Sequence, residues 1–470
     1  MNKQKYEIGV VGLGVMGRNL LLNMADHGHS VVGYDKDPAR VHALALEGAG
    51  RTIRGAGSPD ECLSLLAPPR AVIMLVPAGP IVDRVIRDLL PHLKANDILI
   101  DCGNSHFTDT DTRQKTLDKL GIRLLGVGVS GGEHGARHGP SIMPGGPLEA
   151  YKCVQNLFEE ISAHVEEDPC CAYLGPGSAG HFVKMVHNGI EYGLMELIAE
   201  TYDLMRRGLN FNDSEMAKIY ERWNDGSFHS YLIEITAHIF RQTDEKTGKC
   251  LIDAIRDEAL QKGTGKWTSQ AAMDLQVPAP VIDAAVSARD LSVYRQDRET
   301  ASRLFPVQDG MFRGSKEDFI DGLEKALEAG FLMIYAQGMD LLRKADPYGY
   351  DLSLADVARI WRGGCIIRAA ILEDIRASYE NHPDISNLLL QPRMVETALR
   401  CQRSLRDTVC WAANLGIPAP AMMAALAYFD GCRSTRLPAN LIQAQRDYFG
   451  AHTYERVDQK GIFHTNWEKD

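Results

Sequence analysis

The first third of the chain alternates between short apolar runs and amphipathic segments. The run YEIGVVG leads into a glycine turn and an amphipathic helix, and a second run, SVVGYD, follows. Further apolar runs of strand length occur at 71–76, 97–102 and 122–129. Buried strands that alternate with helices are typical of a parallel, doubly wound sheet. We therefore predict an α/β domain over residues 1–177.

The pattern changes near residue 178, where apolar positions begin to recur every three to four residues. Long segments at 180–207 and 317–345 follow this helical period, and strand alternation ends. The segment 275–286 matches 415–426 at a shift of 140, and 199–207 matches 336–344 at a shift of 137. These matches predict a large all-α domain over 178–437 with an internal tandem duplication.

The last segment, 438–470, has no sustained helical period. It mixes glycines, charges and aromatic residues, which include Tyr448, Phe449, Tyr454, Phe463 and Trp467. A disordered tail is one interpretation of such a mixture, but solvated tails usually carry fewer aromatic anchors. The aromatic residues favour an extended C-terminal tail that is held by contacts.

Composition is that of an ordinary globular protein. The 470 residues are 45% hydrophobic and 24% charged, with a formal net charge of -11 and a pI near 5.8. This length is too great for one core, and the acidic balance argues against nucleic acid or an anionic membrane as the main partner. No secretory segment and no run of 18 apolar residues occurs, so we expect a cytoplasmic protein. The ten cysteines lack CxxC spacing, which predicts reduced thiols and no metal site.

Three glycines in GxGxxG spacing stand between the first apolar run and the first helix. The first two allow a tight turn and close approach of a pyrophosphate, and the third allows helix and strand to pack. The second run ends in Asp35, where a carboxylate can hold ribose hydroxyls. Glycines of a plain turn are the alternative, but the strand, turn and helix context favours a Rossmann-type dinucleotide site. The expected cofactor contacts are Gly12, Leu13, Gly14, Val15, Met16, Gly17, Asp35, Lys36, Val76 and Asn104.

Polar, glycine-rich segments follow two of the later strands. Asn104 comes after the run 97–102, and Ser130, Gly131 and Gly132 come after 122–129. Ligands on doubly wound sheets bind beyond the carboxyl ends of the strands. These residues are therefore candidate substrate contacts, although such composition is also that of an ordinary turn.

The segment KMVHNGIEYG carries Lys184, His187, Asn188, Glu191 and Tyr192 at helical offsets 0, 3, 4, 7 and 8. These offsets place the five side chains on one helix face. A solvated stripe is the plain interpretation. At the positions that match Lys184, His187 and Glu191, the second copy has Asp321, Glu324 and Glu328. Because only the first copy keeps the stripe, the pattern favours a functional site.

Several longer motifs together resemble one enzyme family. They are GLGVMGRNL, GVSGGEHGARHGPSIMPGG, KMVHNGIEYG, QKGTGKWT at 261–268, and RDYFGAHTYE with FHTNW near the end. These motifs span essentially the whole chain and are similar to those of the decarboxylating 6-phosphogluconate dehydrogenases of the long form. The resemblance implies oxidation of 6-phospho-D-gluconate at C3, followed by decarboxylation to D-ribulose 5-phosphate and CO₂ with reduction of NAD(P).

The resemblance also implies a role for each matching residue. Lys184 matches the base that accepts the hydroxyl proton, and Glu191 matches the acid that protonates the enediol. Two helical turns, roughly 10 Å of rise, separate them, which suits the two ends of a short polyol. Matching contacts to the substrate carboxylate and hydroxyls are Ser130, Gly131, Gly132, Asn104, His187 and Asn188. The matching phosphate pocket consists of Tyr192, Lys262, Thr264, Arg289, Arg446 and His452.

The segment after the second strand departs from the family pattern. The common NADP-using members carry asparagine, arginine and threonine there, whereas this chain has Asp35, Lys36 and Asp37, and Pro77 replaces a residue that is often polar. A carboxylate accepts hydrogen bonds from a ribose 2′-hydroxyl but repels a 2′-phosphate. We therefore expect NAD to be favoured over NADP, with Lys36 allowing some NADP use.

In the family, the tail crosses to the partner subunit and supplies the arginine and histidine that match Arg446 and His452. The resemblance thus implies a homodimer whose active sites are shared.

Two alternative functions stay open at this point. Another β-hydroxyacid dehydrogenase, of the 3-hydroxyisobutyrate type, would share the nucleotide fold but would not need the basic residues at 262, 289 and 446. A non-catalytic cofactor-binding protein is the second alternative, and intact Lys184 and Glu191 argue against it.

Overall fold

The computed structural model describes residues 5–226, 229–305 and 312–467. The chain divides into two compact units, Met1–Ala425 and Leu426–Asp470. In the larger unit a sheet with helices comes first and an all-helical region follows. The predicted fold class is therefore confirmed. Among the described helices, none combines the length and apolar character that a membrane span requires.

Seven strands form the sheet. They are β1 (Tyr6–Val11), β2 (Val31–Tyr34), β3 (Ile53–Ala56), β4 (Leu66–Met74), β5 (Ile98–Asp101), β6 (Arg123–Ser130) and β7 (Ser141–Gly145). Their order is β3-β2-β1-β4-β5-β6-β7, and all neighbours pair in parallel except β6 and β7. The strand order reverses direction between β1 and β4, and nucleotides bind at the carboxyl ends of strands at such a point.

Helices cover both faces of this sheet. They are α1 (Val15–Asp26), α2 (Pro38–Glu47), α3 (Pro59–Leu65), α4 (Pro80–Leu89), α5 (Phe107–Asp118), α6 (Gly132–His138), α7 (Leu148–Lys152) and α8 (Gln155–Ile161), followed by a small hairpin of β8 (His164–Val165) and β9 (Asp168–Pro169). Successive side chains of β1 point to opposite faces of the sheet, so Val10 lies in one apolar cluster and Val11 in the other. A strand that is buried on both faces reads as a continuous apolar run, which is the pattern in the sequence.

The helical region begins with α9 (Ala179–Asp203), which carries KMVHNGIEYG and ends in a π-helical turn, Leu204–Gly208. The next helices are α10 (Asp213–Asn224), α11 (Tyr231–Arg241), α12 (Thr264–Asp274), α13 (Pro280–Ser292), α14 (Arg295–Leu304), α15 (Lys316–Arg343), α16 (Leu354–Ile360), α17 (Ile371–Asn381), α18 (Pro392–Leu415) and α19 (Pro420–Cys432). Helices α11 and α17 each have 11 residues, and α13 and α19 each have 13, at the same shift that relates the sequence repeats.

The two copies cap each other's helices. On α9, the carboxylate of Glu200 accepts the backbone N–H groups of Ala421 at 2.5 Å and Met422 at 2.9 Å, at the start of α19. On α15, the amide oxygen of Gln337, at the repeat-equivalent position, accepts the N–H of Val281 at 3.0 Å, at the start of α13. Helix N-termini leave N–H groups without intrahelical partners, so these buried side chains satisfy them.

The smaller unit is organised around Asp447. It contains α20 (Ala439–Gly450), β10 (Tyr454–Glu455) and β11 (Ile462–Phe463). The fully buried carboxylate of Asp447 accepts hydrogen bonds from the backbone of Thr453 and Thr465 and from the rings of His464 and Trp467, at 2.8 to 3.0 Å. Helix α20 was not expected from the sequence. Its apolar residues, Leu441, Ile442 and Phe449, are all exposed, so they form no one-sided stripe against a core.

Candidate active site

The glycine turn joins β1 to α1 with its backbone packed tightly at two of its glycines. Gly12 has φ +96°, a conformation that favours glycine, and a Cβ there would lie 2.5 Å from the carbonyl oxygen of Leu75. A Cβ on Gly17 would lie 1.9 Å from the carbonyl oxygen of Gly12. Because both positions exclude a side chain, the backbone stays close to the N-terminus of α1, where N–H groups attract an anion. The expected contacts Leu13, Gly14, Val15 and Met16 lie in this turn and the first turn of α1.

Asp35 faces the glycine turn. Its carboxylate accepts the N–H of Leu13 at 2.7 Å and the N–H of Asp37 at 2.9 Å, and it is 8% exposed. The guanidinium of Arg40 lies 3.3 Å from the same carboxylate, and the Arg40 side chain is 52% exposed. The Asp35 carboxylate therefore holds the turn in shape and is partly neutralised by an adjacent cation.

A cleft of about 500 Å³ opens beyond the ends of β2 and β3, next to this turn. Its lining includes Asp35 and the basic or titratable side chains of Lys36, His42 and Arg54. Lys36 is exposed. The positive groups give the cleft a character that suits an anionic part of a nucleotide.

Lys184 lies at the centre of a buried polar cluster on α9. Its Nζ donates to Oδ1 of Asn188 at 2.7 Å and lies 3.2 Å from Nδ1 of His187. Nε2 of His187 is 3.0 Å from the hydroxyl of Ser130, the last residue of β6. Lys184, His187 and Asn188 are at most 6% exposed, which excludes the solvated stripe. The cluster thus joins the catalytic candidate on α9 to the carboxyl end of the sheet.

Burial shifts the titration of this cluster toward neutral forms. It lowers the pKa of Lys184, against the opposing attraction of Glu191 and Cys365. Burial, and then the neighbouring Lys184, lower the pKa of His187 well below its usual value. Burial raises the pKa of Glu191, against the attraction of Lys184 and Arg289. A lysine that is easily neutral can act as a base, and a carboxyl group that is easily protonated can act as an acid.

Close backbone packing fixes these side chains in position. A Cβ on Gly128 of β6 would lie 2.4 Å from the Cβ of Lys184, so only glycine admits the helix there. Gly131 and Gly132 follow Ser130 with φ +128° and +60°. Gly131 immediately precedes α6 and Gly132 is its first residue, directly after Ser130 of the Lys184 cluster.

The expected phosphate residues of the larger unit lie on α9, α12 and α13. The guanidinium of Arg289 lies 3.5 Å from the ring centroid of Tyr192, which is a cation–π contact. It also donates a hydrogen bond to the sulfur of Met195 at 3.4 Å. Thr264 is the first residue of α12, Lys262 is exposed just before it, and a Cβ on Gly265 would lie 2.4 Å from the Tyr192 ring. The Tyr192 ring thus contacts both the start of α12 and Arg289.

Four further expected residues lie outside the Lys184 cluster. Asn104 is exposed in the loop after β5, and Val76 is partly buried after β4, 2.9 Å from where a Cβ of Gly12 would lie. Arg446 and His452 belong to the smaller unit, where both are exposed. Among the described residues, no group of three or more His, Cys, Asp or Glu side chains could hold a metal ion.

Family models match nearly the whole chain. The NAD binding domain of 6-phosphogluconate dehydrogenase matches residues 7–175, and the 6-phosphogluconate dehydrogenase C-terminal domain matches residues 180–467. The chain belongs to the 6-phosphogluconate dehydrogenase family. The family consists of NAD(P)-dependent oxidoreductases, so the predicted enzyme class is confirmed.

Individual members of the family are similar over their full length. The NADP(+)-dependent, decarboxylating 6-phosphogluconate dehydrogenase of Bacillus subtilis is 48% identical over 99% of this chain and 100% of its own. A decarboxylating 6-phosphogluconate dehydrogenase of Saccharomyces cerevisiae is 47% identical over 100% of this chain and 96% of its own. The Plasmodium falciparum 6-phosphogluconate dehydrogenase, solved in its apo form, with NADP+ and with 6-phosphogluconate, superposes with a TM-score of 0.95 over 98% of this chain and 100% of its own, at 41% identity.

The expected preference for NAD over NADP is wrong. The similar dehydrogenase of Bacillus subtilis is NADP(+)-dependent, and that of Plasmodium falciparum was solved with NADP+. The orientation of Asp35 supplies a physical reason. Its carboxylate is engaged by two backbone N–H groups and by Arg40, so its presence at the strand end does not by itself select a ribose hydroxyl.

Sequence reasoning missed one part of this dehydrogenase site, the segment 361–366 after α16. The N–H of Ile366 donates to the hydroxyl of Ser130 at 3.4 Å, Trp361 makes an edge contact with His187 at 5.7 Å, and the buried thiol of Cys365 interacts with Lys184. A Cβ on Gly131 would lie 2.5 Å from the carbonyl oxygen of Gly364. The glycine pair in RGGCIIR was the available signal, because adjacent glycines between helices often mark close backbone contact.

Proposed function

We propose that the chain oxidises 6-phospho-D-gluconate with NADP+ and decarboxylates the product to D-ribulose 5-phosphate, the oxidative step of a pentose phosphate pathway. The observation that carries this proposal is the buried cluster of Lys184, His187, Asn188 and Ser130 at the carboxyl end of β6, on the same sheet whose β1 leads into the glycine turn. Full-length similarity to decarboxylating members favours this reaction over both alternative functions.

Lys184 is proposed as the base for the oxidation. The lowered pKa of the Lys184 side chain makes its neutral form accessible, and the neutral amine accepts the proton of the C3 hydroxyl. Asn188 and His187 hold Nζ in place through contacts at 2.7 and 3.2 Å. The bound dinucleotide supplies the hydride acceptor. Residues Gly12 to Gly17, with Val76 and Asn104, are proposed to hold it, and Lys36 and Arg40, which lie beside Asp35, are proposed to contact its ribose phosphate.

Glu191 is proposed as the acid for the second half of the reaction. Loss of CO₂ from the 3-keto acid breaks the bond between C1 and C2 and leaves an enediol, whose carbon must then be protonated. The raised pKa of Glu191 keeps its proton available for this step. Glu191 also lies 3.7 Å from Nδ1 of His187, so acid and base belong to one polar network.

The substrate is proposed to lie along α9. Ser130, Gly131 and Gly132 would bind its carboxylate, and Asn104, His187 and Asn188 its hydroxyls. Its phosphate would meet Tyr192, Lys262, Thr264 and Arg289. The cation–π contact places the Arg289 guanidinium beside Tyr192, so that these two proposed phosphate contacts lie together.

We further propose a homodimer in which Arg446 and His452 complete the phosphate site of the partner subunit. Both side chains are exposed, and the segment that carries them is ordered around Asp447. An ordered segment with exposed cationic and aromatic groups is suited to docking against another surface.

A cytoplasmic location is also proposed. All ten cysteines are free thiols, six of them buried, as expected of a protein that folds in a reducing compartment.

A substrate comparison tests the proposed function. Purified protein with NADP+ should form NADPH with 6-phosphogluconate, and CO₂ should appear in equal amount. Unphosphorylated gluconate and 3-hydroxyisobutyrate should give far lower kcat/KM, because neither meets the phosphate residues. Equal or greater turnover of 3-hydroxyisobutyrate would establish the alternative dehydrogenase, and no turnover with intact NADPH binding would establish the non-catalytic protein.

A further inference from the structure

A buried carboxylate shapes the loop that carries Asn104. Asp101, the last residue of β5, is 0% exposed. Its Oδ1 accepts the N–H of Gly103 at 3.0 Å, and its Oδ2 accepts the hydroxyl of Ser105 at 2.6 Å. Because these two bonds enclose Asn104 on both sides, the Asp101 carboxylate sets the direction in which the Asn104 backbone leaves the sheet.

Arg113 of α5 connects this loop to the loop after β4. The guanidinium, 7% exposed, donates to the carbonyl oxygen of Gly79 at 3.1 Å and to the carboxylate of Asp83 at 2.7 Å. It also donates to the hydroxyl of Ser105 at 3.4 Å and lies 3.7 Å from Asp101. A planar guanidinium with several fixed donors can hold two loops in one relative geometry, which a lysine ammonium cannot do.

The two loops are in direct contact, and α9 touches the same cluster. A Cβ on Gly103 would lie 3.0 Å from the carbonyl oxygen of Val76, the proposed cofactor contact after β4. The ring of His181 lies 3.0 Å from the carbonyl oxygen of Asp101 and 2.7 Å from the hydroxyl of Thr110. His181 is 1% exposed and precedes Lys184 by one helical turn. The group of Asp101, Ser105 and Arg113 therefore contacts three parts of the proposed site. They are the loop 75–79 after β4 (the cofactor loop), the loop 102–106 after β5 (the Asn104 loop) and the helix α9 that carries the proposed base.

The same two strands have a second arginine and aspartate pair at their other ends. Arg70 of β4 donates to Asp97, just before β5, at 2.9 Å, and the two side chains are 14% and 3% exposed. This pair lies just before Ala71 and Ile98, where the pairing of β4 with β5 begins, and so at the opposite end of the paired segment from Asp101. It provides a matched reference for the purely structural effect of an arginine paired with a buried aspartate.

We propose that Arg113 is a positioning residue for the hydride transfer. It acts through the Gly79 and Ser105 contacts, which set the distance between the cofactor loop and the Asn104 loop, and it touches neither substrate nor cofactor. The proposal rests on the proposed function. Hydride transfer depends steeply on the distance between donor and acceptor carbons, so a small change in this spacing slows the chemical step more than it weakens substrate binding.

The test compares Arg113→Lys with Arg70→Lys in the full-length protein. We expect Arg113→Lys to lower kcat at least about tenfold, while KM for 6-phosphogluconate changes less than about threefold. With substrate deuterated at C3, the isotope effect on kcat should be larger for Arg113→Lys than for wild type, because hydride transfer becomes rate-limiting in the variant. Arg70→Lys should keep the wild-type kcat and isotope effect even where it loses as much stability. Ser105→Ala, which removes one contact, should shift kcat and the isotope effect in the same direction.

Equal kcat and isotope effects for Arg113→Lys and Arg70→Lys would overturn the proposal. Should Arg113→Lys fail to fold, the same two readouts on Ser105→Ala decide, and wild-type values there would overturn it. A wild-type protein without activity on 6-phosphogluconate would refute the proposed function instead. In that case titration with NADPH decides about Arg113: weaker binding by Arg113→Lys than by Arg70→Lys supports the positioning role, and equal binding refutes it.

Discussion

Glu196 lies one turn beyond Tyr192 on α9 and interacts with the same cation, Arg289. Burial raises the pKa of its carboxyl group to about 7, against the attraction of Arg289. The folded protein thus favours the protonated form. The stability that the protonated Glu196 contributes is present below pH 4.5, the ordinary pKa of a glutamate. It is lost as pH rises from there to about 7.

Replacing Glu196 with Gln tests this ionisation. At pH 8 the neutral amide avoids a buried charge, so Glu196→Gln should raise the free energy of unfolding by the order of 1 kcal/mol. The difference should shrink at pH 5.5, where the wild-type group is largely protonated. Urea unfolding at both pH values measures it, with the exposed Glu245→Gln as control. A stability difference that does not change with pH would contradict the raised pKa.

At the residue scale, the sequence predicts correctly which side chains share a helix face, because spacing determines that. It does not predict which groups a carboxylate binds, because that depends on the orientation of the side chain. The offsets of Lys184, His187 and Asn188 placed them on one face, and the structure brings them together in a buried cluster. For Asp35, the sequence located the carboxylate at the end of β2 but could not show that it accepts the N–H groups of Leu13 and Asp37. The inference about cofactor choice failed for that reason.

At the scale of elements, the capping of α19 by Glu200 and of α13 by Gln337 gives a testable prediction about helix capping between the two copies. Glu200→Ala leaves two buried N–H groups of α19 without an acceptor, which should cost about 1–3 kcal/mol in unfolding free energy. Glu200→Gln should cost less than Glu200→Ala, because its single amide oxygen still accepts one of the two N–H groups, as the amide oxygen of Gln337 does for Val281 of α13. Urea midpoints of the two variants measure the difference. Equal losses for Ala and Gln would show that packing, and not capping, is the contribution of Glu200.

The lowered pKa of Asp447 gives a pH-dependent stability prediction for the smaller unit. Burial raises the pKa of its carboxyl group, but the hydrogen bonds of Thr465, His464, Trp467 and Thr453 outweigh that effect and lower it to about 2. The stabilisation is present above the ordinary value of 3.8 and is lost as pH falls toward 2.

Asp447→Asn should therefore loosen residues 451–467, since an amide has one acceptor oxygen where the carboxylate has two. Limited proteolysis at pH 7 should cut this segment faster than in wild type. Asp458→Asn, in the same segment, removes a carboxylate that accepts from Arg456 and is the matched control. Equal cleavage rates for the two variants would contradict the central role of Asp447.

Long, strongly periodic elements were predictable, whereas short edge strands were not. The segments 180–207 and 317–345 correspond to α9 (Ala179–Asp203) and α15 (Lys316–Arg343). Strands β3 and β7 were missed. Each lies at an edge of the sheet and is only 4 or 5 residues long, and β7 contains Pro144, which is unusual in a strand interior.

At the scale of the whole molecule, the division into 1–177, 178–437 and 438–470 stays a proposal. Helix α9 begins at Ala179, which supports the first boundary, whereas the compact units divide at Ala425, within α19. The sequence pattern marks changes of secondary structure, and compactness depends on tertiary contacts that the pattern does not contain.

Subunit mixing tests the proposed sharing of active sites. Lys184→Ala chains and Arg446→Ala chains, each impaired alone, are combined under conditions that allow exchange. If the tail acts in the partner's site, each mixed dimer has one doubly damaged site and one intact site, so random exchange should restore about a quarter of wild-type activity. Confirmed exchange with activity at the parental level would show that Arg446 acts within its own chain or not at all.

Turnover of 6-phosphogluconate by Lys184→Met addresses the role of the buried base. Methionine fills the same space without a proton acceptor, so NADPH formation and CO₂ release should both fall at least about 10²-fold. NADPH binding should be unchanged, and Lys218→Met, at an exposed position on α10, should keep wild-type rates. Turnover by Lys184→Met within a few fold of wild type at saturating substrate would contradict the assignment of Lys184 as the base.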